Sequence, residues 1–125
     1  MITATFRDSK DIVINGLWQY DYGQILQIRG LQLPTAVQIH FALQEMDGDA
    51  ITRVGTTKNN ITEVQIPDSL LWEEVEIREG YGIPKYNLYA WIYLDNGTTG
   101  KTEYRMRFPV KLRPKPEEYT GNDED

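Results

Sequence analysis

Few side chains in this sequence are of the types that build a catalytic or metal site. The chain has one histidine, His40, and no cysteine, which excludes disulfides and thiolate metal ligands. His40 lies between Ile39 and Phe41 in an alternating apolar run, and no serine or cysteine motif accompanies it. A nucleophilic triad therefore has no support, and we interpret His40 as an exposed strand residue. We expect no enzymatic activity, no metal and no cofactor.

Two short motifs contain residues found in ligand sites but lack the necessary context. Residues 47–49 read Asp-Gly-Asp, but a calcium loop needs six or more oxygen ligands at set spacing. We interpret this motif as a turn, which Asp and Gly favour. Residues 80–82 read Gly-Tyr-Gly, yet they neither follow a clear strand nor open a helix, so a phosphate site is unsupported.

The aromatic residues leave three interpretations open. Six of them form two groups at alternate positions: Trp18, Tyr20, Tyr22, Tyr89, Trp91 and Tyr93. They could be core, because large aromatics dominate small β cores. They could form a protein interface, where Trp and Tyr are enriched, or a platform for carbohydrate. We name all six as candidate partner-binding residues.

Charge is distributed unevenly along the chain. The net charge is −6, but residues 101–115 carry six basic side chains and one acidic one, whereas residues 116–125 carry five acidic ones. The candidate basic stripe is Lys101, Arg105, Arg107, Lys111 and Arg113. Nearby aromatics would suit nucleic acid, but the overall charge opposes it. We therefore expect either charges that guard an edge strand or contacts with an acidic protein partner.

The elements that must position these residues centre on a long hairpin over residues 86–112. In its first run, Leu88, Ala90, Ile92 and Leu94 form one face, and Tyr89, Trp91 and Tyr93 form the other. In the second run, the apolar face is Tyr104, Met106, Phe108, Val110 and Leu112. The Asn96-Gly97 pair between them is a strong hairpin signal.

The loop length of this hairpin decides which faces meet. A two-residue loop at Asn96 and Gly97 places Tyr89 beside Tyr104, whereas a three-residue loop over residues 95–97 pairs Leu88 with Tyr104. One residue of slip turns every side chain to the other face. We favour the three-residue loop, with Gly97 at positive φ, because it joins the two aliphatic faces.

The rest of the chain indicates an all-β domain. Turn signals every 8 to 12 residues separate about eight short strands, which is typical of sandwiches and barrels. No segment shows a sustained 3.6-residue period, so only one helical turn is expected, over residues 68–72 and capped by Asp68. We predict an antiparallel β-sandwich, immunoglobulin-like or jelly-roll-like. It occupies residues 1–113.

Two segments fall outside this regular pattern. Residues 73–85, with four glutamates followed by glycines and a proline, are predicted to form a solvated loop or an irregular edge hairpin. Residues 114–125 are predicted to be an extended proline-containing spacer followed by an acidic, disordered tail. From the first residues we expect no secretory signal, and no apolar run approaches the ~20 residues of a membrane helix.

Several segments together resemble a known family. They are Gly-Leu-Trp-Gln-Tyr-Asp-Tyr-Gly-Gln-Ile-Leu-Gln-Ile at 16–28, Leu-Pro-Thr-Ala-Val-Gln-Ile-His-Phe at 33–41, Ile-Pro-Asp at 66–68, Thr-Gly-Lys-Thr at 99–102 and Arg-Pro-Lys-Pro at 113–116. The chain resembles small proteins or N-terminal domains encoded in tail-gene clusters of phages and prophages of Gram-positive bacteria. Such domains are similar to the attachment modules of baseplate and tail-fibre proteins.

This resemblance implies a virion structural or adaptor protein of the tail or baseplate, without catalytic residues. Its partners would be other tail or baseplate proteins, with a homo-oligomer possible, and it would be assembled in the host cytoplasm rather than secreted by a signal peptide. The alternative is a carbohydrate-binding module that recognises cell-surface glycans through the aromatic residues. Neither interpretation includes a membrane partner, and nucleic acid is not expected.

Overall fold

The computed structural model describes residues 1–46, 48–73 and 85–117. The predicted Asp-Gly-Asp turn lies partly outside them, as do most of the predicted loop over 73–85 and the acidic tail. Residues 112–117 are described and form no strand. Within the described ranges, no helix is long and apolar enough to cross a membrane.

Nine strands account for nearly all the regular structure of the described residues. They are β1 (Ile2–Thr5), β2 (Asp11–Val13), β3 (Leu17–Trp18), β4 (Ile25–Arg29), β5 (Ala36–Ala42), β6 (Ile51–Lys58), β7 (Ile61–Gln65), β8 (Lys85–Asp95) and β9 (Gly100–Lys111). A 3₁₀ helix, Asp68–Leu70, lies between β7 and β8. The prediction of an all-β fold is confirmed. Strand β3 contains Trp18, one of the six predicted aromatic residues.

The strands form one curled sheet, a half-barrel, in the order β1-β4-β7-β6-β5-β8-β9-β2, with β3 also paired to β9. The sheet is mixed, because β1 pairs parallel to β4, and both β2 and β3 pair parallel to β9. The prediction of a purely antiparallel arrangement therefore needs correction. Strands β1 and β2 lie at opposite ends of the order, yet only residues 6–10 connect them. A link this short spans at most about 20 Å, so the sheet must curl to bring its two edges together.

The sheet turns a corner in β6. Residues 51–56 of β6 pair with β5, whereas residues 56–58 pair with β7. Gly55 is buried at this bend, where an added Cβ would lie 3.0 Å from Thr62 Cγ2 and 3.1 Å from Ile39 Cδ1. The next turn has Asn59 and Asn60 at φ 54° and 63°, the conformation of a two-residue hairpin.

The apolar core lies inside the curl, where the two halves of the sheet face each other. One half contributes Ala4, Phe6, Leu26, Ile28, Val64 and Ile66, and the other contributes Val37, Ile39, Phe41, Leu88, Ala90, Ile92, Met106, Phe108 and Val110. Val37, Ile39 and Phe41 of β5 are buried, and Leu43 is half-buried. Burial of this continuous surface is the main stabilising term.

The β8–β9 hairpin has the predicted faces but a different register. Leu88 pairs with Phe108, and Ile92 rather than Leu88 pairs with Tyr104. The preferred three-residue loop is therefore wrong. The slip is an even number of residues, so the aliphatic face of β8 still joins the apolar face of β9.

Side-chain hydrogen bonds set the longer loop of this hairpin. Asn96 Oδ1 accepts hydrogen bonds from the backbone N–H groups of Thr98 and Thr99, and the N–H of Asn96 donates to the carbonyl of Thr99. Gly97 has φ 86°, as predicted. A bulge follows at Glu103, because Tyr93 pairs with Thr102 while Ile92 pairs with Tyr104.

The single helical turn has a different cap from the predicted one. Pro67 is the N-cap residue, and no side chain caps the turn. The carboxylate of Asp68 instead accepts a hydrogen bond from the backbone N–H of Gly23, at 2.8 Å from Oδ1. Asp68 thus ties the turn to the chain just before β4.

Candidate partner-binding surface

The outward side of β8 carries a row of three aromatic residues, Tyr89, Trp91 and Tyr93, all half-buried. Their alternation with the buried Leu88 and Ala90 places them on the face opposite to the core. Strands β5 and β9 flank β8 on its two sides, so this aromatic row runs along an interior strand of the sheet. The structure therefore confirms the predicted separation of aromatic and aliphatic faces.

The aromatic row on β8 is held by ring contacts. Tyr89 and Trp91 stack with centroids 5.9 Å apart and an interplanar angle of 24°. Tyr93 stacks on His40 of β5 at 5.0 Å and 27°, and His40 Nε2 lies 3.2 Å from Gln38 Oε1. His40 does point away from the core, as predicted, but it is half-buried by this stacking rather than fully exposed.

Two exposed valines extend the outward face on either side of the aromatic row. Val54 on β6 is 62% exposed and pairs with Gln38, and Val13 on β2 is 49% exposed and pairs with Arg107. Sequence reasoning did not identify them, because only the strand pairing places them beside β8. The sequence carries no alternation signal for them, since Val13 lies between Ile12 and Ile14 and Val54 between Arg53 and Gly55.

The other three predicted aromatics lie elsewhere and do not join the row. Tyr20 packs edge-on against Trp72 with centroids 5.1 Å apart, and its N–H donates to the carbonyl of Leu71. Tyr22 is 74% exposed and Trp18 is 44% exposed. Among the described residues, no aromatic ring pair links this group to the row on β8. The six residues therefore do not form one continuous aromatic surface.

Gln19, which sequence reasoning missed, explains much of the unusual Trp-Gln-Tyr-Asp-Tyr run. It is almost fully buried, and its amide Nε2 donates to the carbonyl of Glu73 at 2.6 Å. Its Oε1 accepts from the N–H of Arg113, and its own N–H donates to the carbonyl of Lys111. Gln19 thus fastens the end of β9 to two other segments. A polar residue between aromatics was the available signal.

The cations on and beside β9 have different surroundings at the two ends of the strand. At one end, Lys10 and Lys101 both contact Glu103, at 2.5 Å and 3.1 Å. Their hydrogen bonds, chiefly that from Lys10, hold the pKa of the Glu103 carboxyl below its usual value. The bulge places Lys101 opposite Leu94, on the side of the sheet away from Arg105 and Arg107. Lys101 is therefore not part of a single stripe.

Arg105 is neutralised by two carboxylates. It donates to Asp11 through Nη2 at 2.7 Å and Nε at 3.2 Å, and it also contacts Glu45 through Nη1. Its guanidinium lies 5.9 Å from the ring centroid of Tyr89. Arg105 therefore joins β2, β9 and the segment after β5, and its charge is already satisfied within the chain.

The remaining cations gather at the other end of β9. Lys111 pairs with Lys85 on one side and with Trp18 on the other, and its Nζ lies 5.2 Å from the Trp18 ring centroid. A cleft of about 330 Å³ lies beside it, lined by Trp18, Asp21 and Arg113. Lys85 was missed in sequence because it begins a strand on a different part of the chain.

The part of the chain that the structure describes was also searched for metal ligands. Within residues 1–46, 48–73 and 85–117, no group of three or more His, Asp or Glu side chains could hold a metal ion. A second cleft, of about 270 Å³, lies between β5 and the end of β8 and is bordered by Gln38, Tyr93 and Asp95. The arrangement offers stacking, apolar contact and positive charge.

The comparisons with known proteins are sparse. No family model matches the chain, and no solved structure matches it. The sulfite reductase (NADPH) hemoprotein beta-component of Blochmanniella pennsylvanica (strain BPEN) is 32% identical over 85 residues. That match covers 64% of this chain and 15% of the enzyme. Because the chain spans so small a part of the enzyme, the match does not establish a shared family.

Proposed function

We propose that this chain is a structural or adaptor protein of a phage tail or baseplate, acting through protein–protein contacts without catalysis. The observation that carries the proposal is the outward aromatic row of Tyr89, Trp91 and Tyr93 on an interior strand. An antiparallel sheet region with one face on the core normally presents polar residues on the other face. Aromatic residues that are only half-buried there indicate a surface that a protein partner covers.

The resemblance of the quoted sequence segments to tail-cluster domains supplies the biological setting. A structural role for the chain agrees with the contacts of Gln19. This residue belongs to the Trp-Gln-Tyr-Asp-Tyr run, the most unusual of those segments, and it fastens strands together rather than forming a reactive site. The partners would be other tail or baseplate proteins, and a second copy of this chain is also possible. The protein would then be assembled in the host cytoplasm and reside in the virion tail.

We extend the proposal to the class of fold. Strands β1, β4 and β7 form one half of the curled sheet, and β5, β8 and β9 form the other, with the core between them. The first strands of the chain change from one half to the other across residues 6–10. This arrangement supports an immunoglobulin-like sandwich whose halves remain joined at the corner in β6.

Mass spectrometry of purified virions from the source phage tests the proposed function. The chain should be present in a fixed ratio to the tail proteins, and antibodies raised against it should decorate the tail or baseplate in electron micrographs. Its absence from purified virions would overturn the proposal. A recombinant tail fraction lacking the chain should fail to complete assembly.

A carbohydrate-binding module remains the second candidate, favoured by one observation. Tyr89, Trp91 and Tyr93 all stay half-exposed on the outward face of β8, and exposed aromatic rings suit the apolar faces of sugar rings. Pull-down of the chain on purified Gram-positive cell walls tests this candidate. Retention that soluble wall glycan reverses would favour it over the adaptor function.

A further inference from the structure

Lys111 occupies an unusual position in the sheet. On the outward face it lies directly between Lys85 of β8 and Trp18 of β3. Directly opposed residues have Cβ atoms only about 5 Å apart, and like charges in such a pair destabilise the sheet. The two exposed lysines are therefore placed where an anion from outside the pair would relieve their repulsion.

Arg107 continues this basic region along β9. It lies between Tyr89 and the exposed Val13, on the same face as Lys111. Arg113 follows beyond the end of β9 and lines the cleft beside Trp18. We call the set Lys85, Arg107, Lys111, Arg113 and Trp18 the basic corner.

The basic corner differs from the other end of β9 in its charge balance. There, Lys10, Lys101 and Arg105 all contact carboxylates of this chain. By contrast, none of the four cations of the basic corner forms an ion pair with a described residue. Asp21 borders the cleft, but its Oδ2 already accepts a hydrogen bond from the backbone N–H of Trp18.

We infer that the basic corner binds an acidic, extended peptide segment of a partner protein. The inference rests on the proposed adaptor function and specifies the chemistry of its partner. Arg107 and Lys111 are four residues apart in a strand, which corresponds to about 13 Å. An extended segment with acidic side chains four residues apart has the same spacing, whereas the same pair on a helix would be only about 6 Å apart.

The basic corner also fits a peptide better than a nucleic acid. The whole chain carries a net charge of −6, which repels a long polyanion. A short acidic segment can use the local cations and the Trp18 ring without approaching the acidic remainder of the protein.

Fluorescence anisotropy with the full chain tests the inference. The probe is a labelled peptide with glutamate at alternate positions and valine between them, and a second peptide replaces every glutamate by glutamine. The glutamate peptide should bind and lose affinity as salt is raised, and the glutamine peptide should bind at least about tenfold more weakly. Equal binding of the two peptides, or no binding of the glutamate peptide, would overturn the inference.

Variants then locate the site. The double variant Arg107→Gln/Lys111→Gln should weaken binding of the glutamate peptide about tenfold or more, whereas Lys58→Gln, an exposed cation on the β6–β7 hairpin, should leave it unchanged. Lys111→Arg keeps the positive charge and should retain binding. That result would show that the charge at this position, rather than a change in the fold, determines the affinity. Unchanged binding by the double variant would contradict the inference, as would tighter binding of a single-stranded oligonucleotide. Virion mass spectrometry does not depend on these results, so the two proposals can fail separately.

Discussion

The hydroxyl of Tyr86 donates a hydrogen bond to the backbone carbonyl of Leu70, with 2.7 Å between the two oxygens. This bond joins the start of β8 to the end of the 3₁₀ helix, across the segment 74–84. Burial raises the pKa of Tyr86 above its usual value, and the nearby charge of Glu73 acts in the same direction. The fold therefore stabilises the neutral phenol.

Tyr86→Phe is predicted to lower the free energy of unfolding by about 1 kcal/mol at neutral pH, because the Leu70 carbonyl loses its donor. The wild type should also lose stability as pH rises above about 10, where the phenol ionises more readily in the unfolded chain. The variant should lack that part of the loss. Urea unfolding of both proteins at about pH 8 and about pH 11 measures the difference. Parallel losses with pH in the two proteins would contradict this account.

Gly55→Ala is predicted to destabilise the fold by about 1 to 3 kcal/mol, because the new Cβ would overfill the corner of the sheet. Its nearest neighbour would be Thr62 Cγ2 at 3.0 Å. Thr62→Ser removes that methyl group and keeps a hydroxyl for the 2.7 Å hydrogen bond with Thr57. The double variant should therefore recover part of the loss in chemical denaturation. Strictly additive effects of the two substitutions would show that crowding at Thr62 is not the cause.

Arg53→Val is predicted to promote aggregation without lowering the stability of the monomer. Arg53 pairs with the buried Ile39, so it lies on the core side of β6, yet it is exposed. Residues 51–55 pair only with β5 in the described sheet, and an inward-pointing charge is a common guard for such an edge. Light scattering at increasing protein concentration measures the effect. Arg53→Lys should behave as wild type, and aggregation of that variant too would argue against a charge guard.

Trp91→Ala is predicted to weaken self-association or binding to the neighbouring tail protein, at a cost of about 2 kcal/mol or more. Trp91 is the centre of the outward aromatic row, and truncation there removes the contact area that a partner would use. Sedimentation of the pure chain and of its complex measures both effects. Tyr22→Ala provides the comparison, since Tyr22 is exposed but lies outside the row. A strictly monomeric wild type, together with unfolding of Trp91→Ala, would mean that the row only stabilises the fold.

Alternation along the sequence was sufficient to determine the faces of the long strands. The period-two pattern of Leu88, Ala90 and Ile92 against Tyr89 and Trp91 follows from strand geometry alone. The apolar pattern of β9 determined its core side in the same way. For this reason the all-β class and most of the core could be predicted, even though the hairpin register was wrong by four residues.

The register itself was decided by interactions that alternation does not encode. Asn96 Oδ1 caps a longer loop, and the bulge at Glu103 reverses the side of Lys101. The loop depends on the side-chain hydrogen bonds of Asn96, and the bulge depends on one unpaired residue, Glu103. A sequence pattern with period two cannot distinguish registers that differ by an even number of residues.

The sequence by itself determined that the aromatic residues of β8 and, on β9, Arg105, Arg107 and Lys111 would lie on the outward face. Only the tertiary structure decided which of these residues remain free to contact a partner protein. The curl of the sheet brings Asp11 and Glu45 to Arg105, while β8 and β3 bring Lys85 and Trp18 to Lys111. These contacts join residues far apart in the chain, because closing the sheet sets the distances between its strands. Local composition carries no information about those distances.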